Sequence, residues 1–548
     1  MCLLRRLSLQ KLHPMTKQIQ QECARRRTLA IISHPDAGKT TLTEKLLLYG
    51  GAKEQAGGVR ARKNAQDTSS DWLELEKQRG ISVSSSVMRF EYADYCINLL
   101  DTPGHRDFSE DTYRVLMAVD SAIMVLDAAK GIEDQTLKLF EVCRSRGIPI
   151  ITFINKCDRP GKEPLELLDE IEQRLGLKTF AANLPIGDGQ DFVGILDRAG
   201  GALHRFERIS GGRFRAPVSI GGLNDPAMRA AVPAGILEQL GETDELLTAA
   251  GSHLDTAAVA RGQLTPVFFG SAINNFGVQL LLDGLLAHSA PPQPRHVAGT
   301  PVAPEREVFS AFVFKIQANM DPNHRDRLAF LRICSGCFHR DLRVRIARTG
   351  KTIRLSHTHQ VFGRERETGE EAWPGDILGV TGQADLEIGD TLTEAADIRY
   401  DAIPRFAPEC FVYLHHSDTQ TYKRFSKGLQ QLLQEKVIQR FYPMHADQRI
   451  PLIGAVGQLQ FDVVRYRLES EYGAASRMEK APWSITRWID PASADHPVLA
   501  SYLSGAIRVQ DDAERPCLLF ESQWNLDYFH REHGTIRLHR SPPEHAEA

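Results

Sequence analysis

The sequence has few cysteines and no long apolar run, and each absence excludes a class of protein. Its nine cysteines are scattered and odd in number, which favours a reducing cytosol over a disulfide framework. No apolar stretch approaches the roughly 20 residues that a membrane-spanning helix needs. The net charge of −4 gives no general basic field, so any contact with nucleic acid must be local. These absences favour a cytoplasmic protein without a membrane anchor, and we also expect it to be a monomer.

The N-terminal segment contains no acidic residue before Glu22. Arg5 and Arg6 precede Leu-Ser-Leu as in a twin-arginine export signal, but the residues that follow are polar. A mitochondrial transit peptide would also lack acidic residues. The simpler interpretation is a disordered basic leader over residues 1–27, with Arg25–Arg27 at the surface. Translation could start at Met15, and we expect a chain that lacks residues 1–14 to fold and function normally.

Strand and helix signals alternate from residue 28 to about residue 176, which predicts a mostly parallel sheet wrapped by helices. The candidate strands are 28–33, 87–92, 95–101, 122–128 and 149–155. Residues 177–265 interrupt the alternation with turn-rich sequence and an Ala/Leu-rich helical stretch, and the strand 266–272 resumes it. We therefore predict an α/β domain over residues 28–290, with residues 177–265 as an insertion.

The remaining chain changes character twice. Prolines mark residues 291–305 as a linker, and short β-rich runs over residues 306–398 predict a β-barrel domain. Strands and helices mix again over residues 399–540, which predicts an α+β domain. One of its helices has an apolar face formed by Phe425, Leu429, Leu432 and Leu433. Residues 541–548 are expected to be a disordered tail.

Residues 33–40 read SHPDAGKT, the phosphate-binding pattern G-x-x-x-x-G-K-[ST] with serine in place of the first glycine. Backbone amides in such a loop wrap a β-phosphate at the start of a helix. Gly38 permits the tight turn, Lys39 would reach the phosphates and Thr40 would bind Mg²⁺. Serine fits at position 33 if its φ is negative. The predicted loop comprises Ser33, His34, Pro35, Asp36, Ala37, Gly38, Lys39, Thr40 and Thr41.

Two further segments would contact the phosphates and the metal. In DTPGH (101–105), Asp101 would hold Mg²⁺ through water and the Gly104 amide would meet a γ-phosphate. In RGISV (79–83), Ser82 would offer its hydroxyl to the metal from a loop that Mg²⁺ and γ-phosphate can order. These parts complete the phosphate end of a P-loop nucleotide-binding site.

Two other segments would choose the base. NKCD (155–158) ends a strand, and a carboxylate at Asp158 can accept hydrogen bonds from N1–H and the 2-amino group of guanine. Adenine offers neither donor, so Asp158 would select GTP over ATP. In GSA (270–272), a backbone amide can reach guanine O6. The predicted base site comprises Asn155, Lys156, Asp158, Ser271 and Ala272, all at strand ends, where open α/β sheets bind ligands.

These motifs resemble the translational GTPases, in which histidine follows the glycine of DTPG. Five longer segments narrow the resemblance to bacterial peptide-chain release factor three: RTLAIISHPDAGKTTLTEKLLL, DWLELEKQRGISVSSSVMRF, NLLDTPGHRDFSEDTYRVL, VFKIQANMDPNHRDRLAF and GAVGQLQFDVVRYRLESEYG. The resemblance extends from about residue 16 to residue 530. Elongation factor G shares the early motifs, but its additional C-terminal domains have no room in this chain.

The resemblance implies a role on the ribosome. Such factors bind ribosomal RNA and proteins after a stop-codon-decoding release factor has freed the peptide. GTP binding then helps to eject the decoding factor, and hydrolysis releases the GTPase. In this family the histidine that corresponds to His105 orients the attacking water, although a lone histidine is usually structural. The chain has no Gly-Gly-Gln sequence, so we do not expect it to cleave peptidyl-tRNA.

Three other functions stay open at this point. A translocation or ribosome-protection factor would need the missing C-terminal domains. A metabolic enzyme with a GTPase domain would need a second catalytic group in residues 306–548, where none is apparent. A non-hydrolysing scaffold would not need His105 and Ser82.

Three weaker patterns have ordinary explanations. CSGC (334–337) lacks the second pair of ligands that a zinc site requires. The basic stretch 340–354, in which Arg343 and Arg345 would share an outward strand face, fits either a solvated face or a ribosome contact. HRDR (324–327) fits either internal ion pairs or a ribosome-facing edge.

Overall fold

The computed structural model describes residues 14–50, 84–187, 189, 192–205, 218–220, 225–226, 232–318, 327–362, 365–401, 403, 405–416, 418–444 and 450–542. Over these ranges the chain forms three successive units, each built around one large sheet. Within the same ranges, no helix combines the length and the apolar character that crossing a membrane requires.

The first unit contains eleven strands and eight helices in the described residues. The strands are β1 (Arg26–Ser33), β2 (Ser86–Tyr92), β3 (Tyr95–Asp101), β4 (Ser121–Asp127), β5 (Ile150–Asn155), β6 (Lys178–Ala181), β7 (Asn183–Ile186), β8 (Gly194–Asp197), β9 (Ala202–Arg205), β10 (Val218–Ile220) and β11 (Leu264–Phe269). The helices are α1 (Pro14–Ala24), α2 (Lys39–Tyr49), α3 (Ser109–Leu116), α4 (Asp134–Ser145), α5 (Pro164–Leu175), α6 (Ala234–Ala249), α7 (Thr256–Ala260) and α8 (Val278–His288).

The main sheet has seven strands in the order β2-β3-β1-β4-β5-β11-β6. Its neighbours pair in parallel except for β2 and β3, which are antiparallel. Alternate residues of β1 serve two cores: Leu29 and Ile31 lie in the core that contains α2 and α8, whereas Ala30 and Ile32 lie in the core that contains α3, α4 and α5. Because both faces are covered, the strands are continuously apolar.

The predicted insertion has a different boundary in the structure. The sequence predicts an insertion over residues 177–265, but β6 pairs in parallel with β11 from Lys178 opposite Leu264 and so belongs to the main sheet. The separate antiparallel sheet begins only at β7, with the order β10-β9-β8-β7. A strand of four residues, KTFA, is too short to produce a recognisable periodic pattern.

The second unit is the expected β-barrel domain, preceded by a two-stranded ribbon. Its strands are β12 (Arg295–Val297), β13 (Thr300–Val302), β14 (Ser310–Ala318), β15 (Arg327–Ser335), β16 (Phe338–His339), β17 (Arg343–Ile346), β18 (Thr352–Arg354), β19 (Thr358–Phe362), β20 (Glu365–Thr368), β21 (Glu371–Ala372), β22 (Ile377–Val380) and β23 (Thr391–Thr393). Eight of them form one sheet in the order β18-β17-β23-β14-β15-β22-β19-β20. In β17, Val344 and Ile346 are buried while Arg343 and Arg345 are not, as the alternation predicts.

The third unit combines one eight-stranded sheet with helices, as expected for an α+β domain. Its elements are β24 (Cys410–His416), α9 (Tyr422–Gln434), β25 (Gln439–Pro443), β26 (Leu452–Ala455), α10 (Gln458–Ser470), β27 (Ser476–Lys480), β28 (Ile485–Ile489), β29 (Ala506–Asp511), β30 (Pro516–Phe520), α11 (Gln523–Glu532) and β31 (Leu538–His539). The predicted apolar face of α9 is buried at all four of its positions.

The expected disordered leader is wrong for residues 14–27. Helix α1 packs Ile19 and Cys23 against Cys337 and Trp373 of the barrel domain. Arg26 and Arg27, expected at the surface, are buried at the start of β1. The guanidinium of Arg26 donates to Asp376 over 2.9 Å, and its partner lies 350 residues away, where no local pattern could reveal it.

Buried charges join the barrel domain to the first unit. Arg332 is 1% exposed, and its guanidinium donates to Asp120, to the hydroxyl of Thr28 and to the carbonyl oxygen of Gly375. Together with the pair formed by Arg26 and Asp376, this network satisfies charges that would be costly to bury alone. The two units therefore meet through ion pairs as well as apolar packing.

Replacing Asp376 with alanine is expected to lower the free energy of unfolding by about 3 kcal/mol, the lower end for a broken buried ion pair, because Arg26 then keeps only the partly exposed carboxylate of Glu22. Burial raises the pKa of Asp376, but the charges of Arg26 and Arg89 and a hydrogen bond from the Trp373 amide outweigh burial and hold that pKa below its usual range. The stabilisation is therefore complete above the unfolded-state pKa and is lost as the pH falls through the depressed folded-state pKa.

Urea unfolding at neutral and acidic pH checks this prediction. The matched control is Asp385→Ala, which removes the carboxylate of an exposed ion pair with Lys351. Equal midpoints for the two variants at neutral pH would contradict the importance of the buried pair.

Candidate functional site

The phosphate-binding loop lies between β1 and α2, at the carboxyl end of the parallel strands. Gly38 has φ +95°, and a Cβ at this position would lie 2.2 Å from Nδ2 of Asn155. Only glycine meets both conditions, the left-handed backbone and the close approach. Asp36 is also left-handed, with φ +67°. Ser33, by contrast, pairs with Val125 inside the sheet, so its extended backbone needs no glycine.

Lys39 and Asp101 form a buried ion pair at the start of α2. The Lys39 Nζ lies 2.6 Å from Oδ1 of Asp101, and both side chains are buried. The next residue along the helix, Thr40, adds a hydroxyl oxygen. Hydroxyl and carboxylate oxygens are the protein ligands that Mg²⁺ prefers, and the carboxylate already faces a cation in this structure. The donor set therefore fits the metal that the sequence predicts.

Asn155 ties the phosphate loop to the predicted base-binding segment. Its Nδ2 donates to the carbonyl oxygen of Ala37 over 2.8 Å, and its Oδ1 accepts from the amide of Ala272 over 2.8 Å. Lys156, with φ +70°, donates to the carbonyl oxygen of Asp36 over 2.5 Å. Three segments that are far apart in sequence thus meet through hydrogen bonds at one edge of the sheet.

Asp158 offers an acceptor that no described residue uses. Its Oδ1 is buried and has no hydrogen-bond partner within the described ranges. Nearly all buried polar atoms in folded proteins are paired. Asp158 follows two residues after Lys156, which contacts the phosphate loop, so its Oδ1 is available to accept from the N–H donors of a ligand. Among the purine bases, guanine offers two such donors on one edge.

His105 follows the loop after β3 and is about one third exposed at 34%. The neighbouring Gly104 lies against the phosphate loop, since a Cβ there would be 3.6 Å from Cα of Pro35. The ring is held through its Nδ1, which accepts from the amide of Asp107 over 3.2 Å. His105 therefore stands at the phosphate end of the site, and Nε2 lies on the side of the ring away from this contact.

Ser82 lies outside the described residues. The described chain resumes at Ser84, where it meets Lys315 of the barrel domain. The Lys315 Nζ donates to the hydroxyls of Ser84 and Ser85, each over 2.8 Å. Ser85 in turn donates its amide to Asp111 of α3 over 2.8 Å. The barrel domain thus contacts both the end of the predicted metal-sensing loop and, through Ser85, the helix that follows His105.

Asp127 is a further residue of this edge that no sequence motif indicates; it accepts from Lys156 Nζ over 2.8 Å at the end of β4. Burial raises its pKa, but hydrogen bonds from Lys156 and the Ala129 amide outweigh burial and keep that pKa below its usual range. Its position was a usable signal, because an aspartate that ends a parallel strand faces the ligand edge.

The cysteines of CSGC are both buried, and burial raises the pKa of Cys337 to about 12. Across the part of the chain that the structure describes, no three His, Cys, Asp or Glu side chains gather as metal ligands. The two cysteines therefore serve as small apolar side chains in the packing of the barrel domain.

Comparisons with protein families match all three units. The Elongation factor Tu GTP binding domain matches residues 24–291, Elongation factor G domain 2 matches residues 308–395, and the Class II release factor RF3, C-terminal domain, matches residues 400–530. The two short intervals between these matches fall in the proline-rich linker and just before the third unit.

Relatives that match over nearly the whole chain are also found. The chain is 51% identical over 522 residues to Peptide chain release factor 3 of Gloeobacter violaceus, covering 95% of this chain and 98% of the relative. It is 50% identical to Peptide chain release factor 3 of Rippkaea orientalis, covering 96% and 97%. A crystal structure from Thermus thermophilus, 24% identical, matches with a TM-score of 0.67 over 89% of this chain and 72% of that one, a likeness of fold.

Proposed function

Because the chain belongs to the peptide chain release factor 3 family and is a translational GTPase of termination, we propose that it promotes dissociation of the stop-codon-decoding release factor after peptide release. GTP binding drives the ejection, and hydrolysis to GDP and phosphate frees the GTPase. Its partners are the decoding factors and the RNA and proteins of the ribosome. It works as a monomer in the cytoplasm, where it meets the ribosome.

The observation that best supports GTP as the substrate is the unpaired Oδ1 of Asp158, two residues after the lysine that contacts the phosphate loop. Guanine N1–H and the 2-amino group would supply the missing donors. Asn155 then mainly holds two loops together, since its Nδ2 contacts Ala37 and its Oδ1 contacts Ala272. The amide of Ser271 or Ala272 would meet O6, with Ala272 already held in place by Asn155.

The phosphate end would work through charge and position. Lys39 would exchange its contact with Asp101 for the β- and γ-phosphates, and the amides from Asp36 to Thr41 would wrap the β-phosphate. Mg²⁺, when bound, would neutralise phosphate charge. It would be held by Thr40, by Asp101 through water and by Ser82.

Hydrolysis forms a bond between water oxygen and the γ-phosphorus and breaks the bond between that phosphorus and the bridging oxygen. The amide of Gly104 would contact the γ-phosphate, and the side chain of His105, the next residue, would orient the attacking water. Arg106, the arginine next to His105, donates to Glu409 at the start of the third unit over 3.2 Å, so it is already engaged in another contact. Stimulation by the ribosome would act on the placement of His105.

GTP turnover with and without purified 70S ribosomes tests this proposal against its alternatives. Strong stimulation by ribosomes is expected. Turnover that ribosomes do not change would favour a metabolic enzyme, and GTP binding without turnover under either condition would favour a scaffold. A translocation factor is disfavoured because residues 400–530 match the Class II release factor RF3, C-terminal domain.

A further inference from the structure

An aspartate of the first unit caps a helix of the third unit. The Oδ2 of Asp107, two residues after His105, accepts from the amide of Leu459 over 2.8 Å. Leu459 is the second residue of α10, whose first amides have no partner within the helix. A carboxylate is a preferred acceptor at this end, because it also meets the positive end of the helix dipole. Here the cap comes from 352 residues away in sequence.

The residue that precedes α10 is shaped to admit this carboxylate. A Cβ on Gly457 would lie 2.0 Å from Cγ of Asp107 and 2.3 Å from its Oδ1. Gly457 has φ −145° and ψ 163°, a conformation that any residue adopts. Glycine is therefore needed here for the close approach of Asp107 and not for its backbone freedom.

The same aspartate also contacts His105. Its amide donates to Nδ1 of the histidine over 3.2 Å, and its Oδ1 lies 3.4 Å from that nitrogen. One short segment thus holds the ring on one side and the α10 N-terminus on the other. Any shift of α10 that moves Asp107 also moves the group that fixes the histidine.

Apolar contacts reinforce the junction. Phe108 packs against Val463 on the next turn of α10, with Leu459 and Tyr466 beside them. Elsewhere in the contact between the first and third units, Arg114 of α3 donates to the carbonyl oxygen of Lys436 over 3.2 Å. The contact between Asp107 and Leu459 is therefore part of a packed interface and is sheltered from competing water.

We propose that Asp107 is a positioning residue, which sets the orientation of His105 by binding the N-terminus of α10. Docking of the third unit then prepares the GTPase site for hydrolysis. The inference rests on the proposed role of His105 in orienting water. It predicts that changes on the α10 side of the contact alter hydrolysis although they lie in another domain.

The test uses the full chain with Asp107→Ala, Gly457→Ala and the double variant. Each is expected to lower the ribosome-stimulated kcat by about 10- to 100-fold, the scale of a small misplacement near the reacting group. GDP affinity and the KM for ribosomes should stay unchanged. The double variant should be no slower than either single variant, because both remove the same contact. Asp107→Asn, which keeps an acceptor oxygen, should restore part of the rate.

The matched control is Gly241→Ala on α6, where an added Cβ meets open space, and its kcat should equal that of the unmodified chain. A normal rate for Gly457→Ala beside a slow Asp107→Ala would show that Asp107 acts within the first unit alone and would overturn the inference. A double variant whose loss of kcat equals the product of the two single losses would also overturn the inference.

Hydrogen exchange separates this inference from the proposed function. The Leu459 amide should exchange faster in both Asp107→Ala and Gly457→Ala than in the unmodified chain or in Gly241→Ala, whether or not ribosomes stimulate hydrolysis. Unchanged exchange in both variants would contradict the contact itself. Faster exchange together with an unchanged rate of hydrolysis would show that the contact does not position His105, and would overturn the inference.

Discussion

His105→Ala is expected to reduce ribosome-stimulated GTP hydrolysis by roughly 10²–10⁴-fold while sparing GTP binding. The reason is that different groups in the site would bind the phosphates and orient the water. In the proposed mechanism, Lys39 and the loop amides would bind the phosphates, and the variant keeps all of these groups. His105 lies beside them, after the glycine that abuts Pro35, where a side chain can reach the attacking water. The loss should therefore appear in the chemical step and not in ground-state affinity.

Single-turnover GTP cleavage on termination complexes measures this loss, with nucleotide binding measured off the ribosome. His296→Ala, which removes an exposed ring in β12, is the matched control. Under the proposed function, ejection needs only GTP binding and hydrolysis then frees the GTPase, so the His105 variant should eject the decoding factor once and then stay bound. Near-normal cleavage would refute the role in hydrolysis, and lost nucleotide binding would mean that His105 is structural.

Asp158→Asn is expected to shift base preference from guanine toward xanthine, with GTP use falling about 10²-fold or more, because a site built for hydrogen bonds strongly rejects a mismatched partner. Xanthine carries a carbonyl where guanine carries its 2-amino group. An asparagine amide can donate to that carbonyl and still accept from N1–H. The buried, unpaired Oδ1 of Asp158 leaves an acceptor at this position for the base.

Hydrolysis of GTP and of XTP by the variant checks this exchange. Asp169→Asn, on an exposed part of α5, controls for the loss of one negative charge. An unchanged preference for GTP in Asp158→Asn would mean that Asp158 does not read the base.

Local sequence signals were sufficient for the fold and the family. The apolar strands that lead into SHPDAGKT, DTPGH and NKCD predict a parallel sheet, and the parallel pairing of β3, β1, β4 and β5 confirms that sheet. The resemblance to the release factor family is confirmed by whole-chain relatives at about half identity. Each of these signals lies within one strand and the loop that follows it.

Contacts between units could not be predicted in the same way. Arg26 looks like a surface residue in RRR, yet it is buried because Asp376 of the barrel domain neutralises it. Asp107 looks like an ordinary loop aspartate, yet it caps a helix of the third unit. In both cases the partner is hundreds of residues distant, and only the folded chain reveals the pair.

The roles assigned to individual site residues stay predictions. Asn155 illustrates why: the sequence motif suggests a nucleotide contact, whereas its amide group is engaged by Ala37 and Ala272. A strut between two loops and a ligand contact would both require asparagine at this strand end. Measurements with nucleotide present separate the two roles.

The most direct test of the account follows a fluorescently labelled decoding release factor on ribosomes whose peptide has already been released. Adding the chain with GTP, or with a GTP analogue that resists hydrolysis, should accelerate dissociation of the label, whereas GTP without the chain should not. With the analogue, the chain itself should then remain on the ribosome. Dissociation at the same rate with and without the chain, in the presence of GTP, would contradict the proposed function.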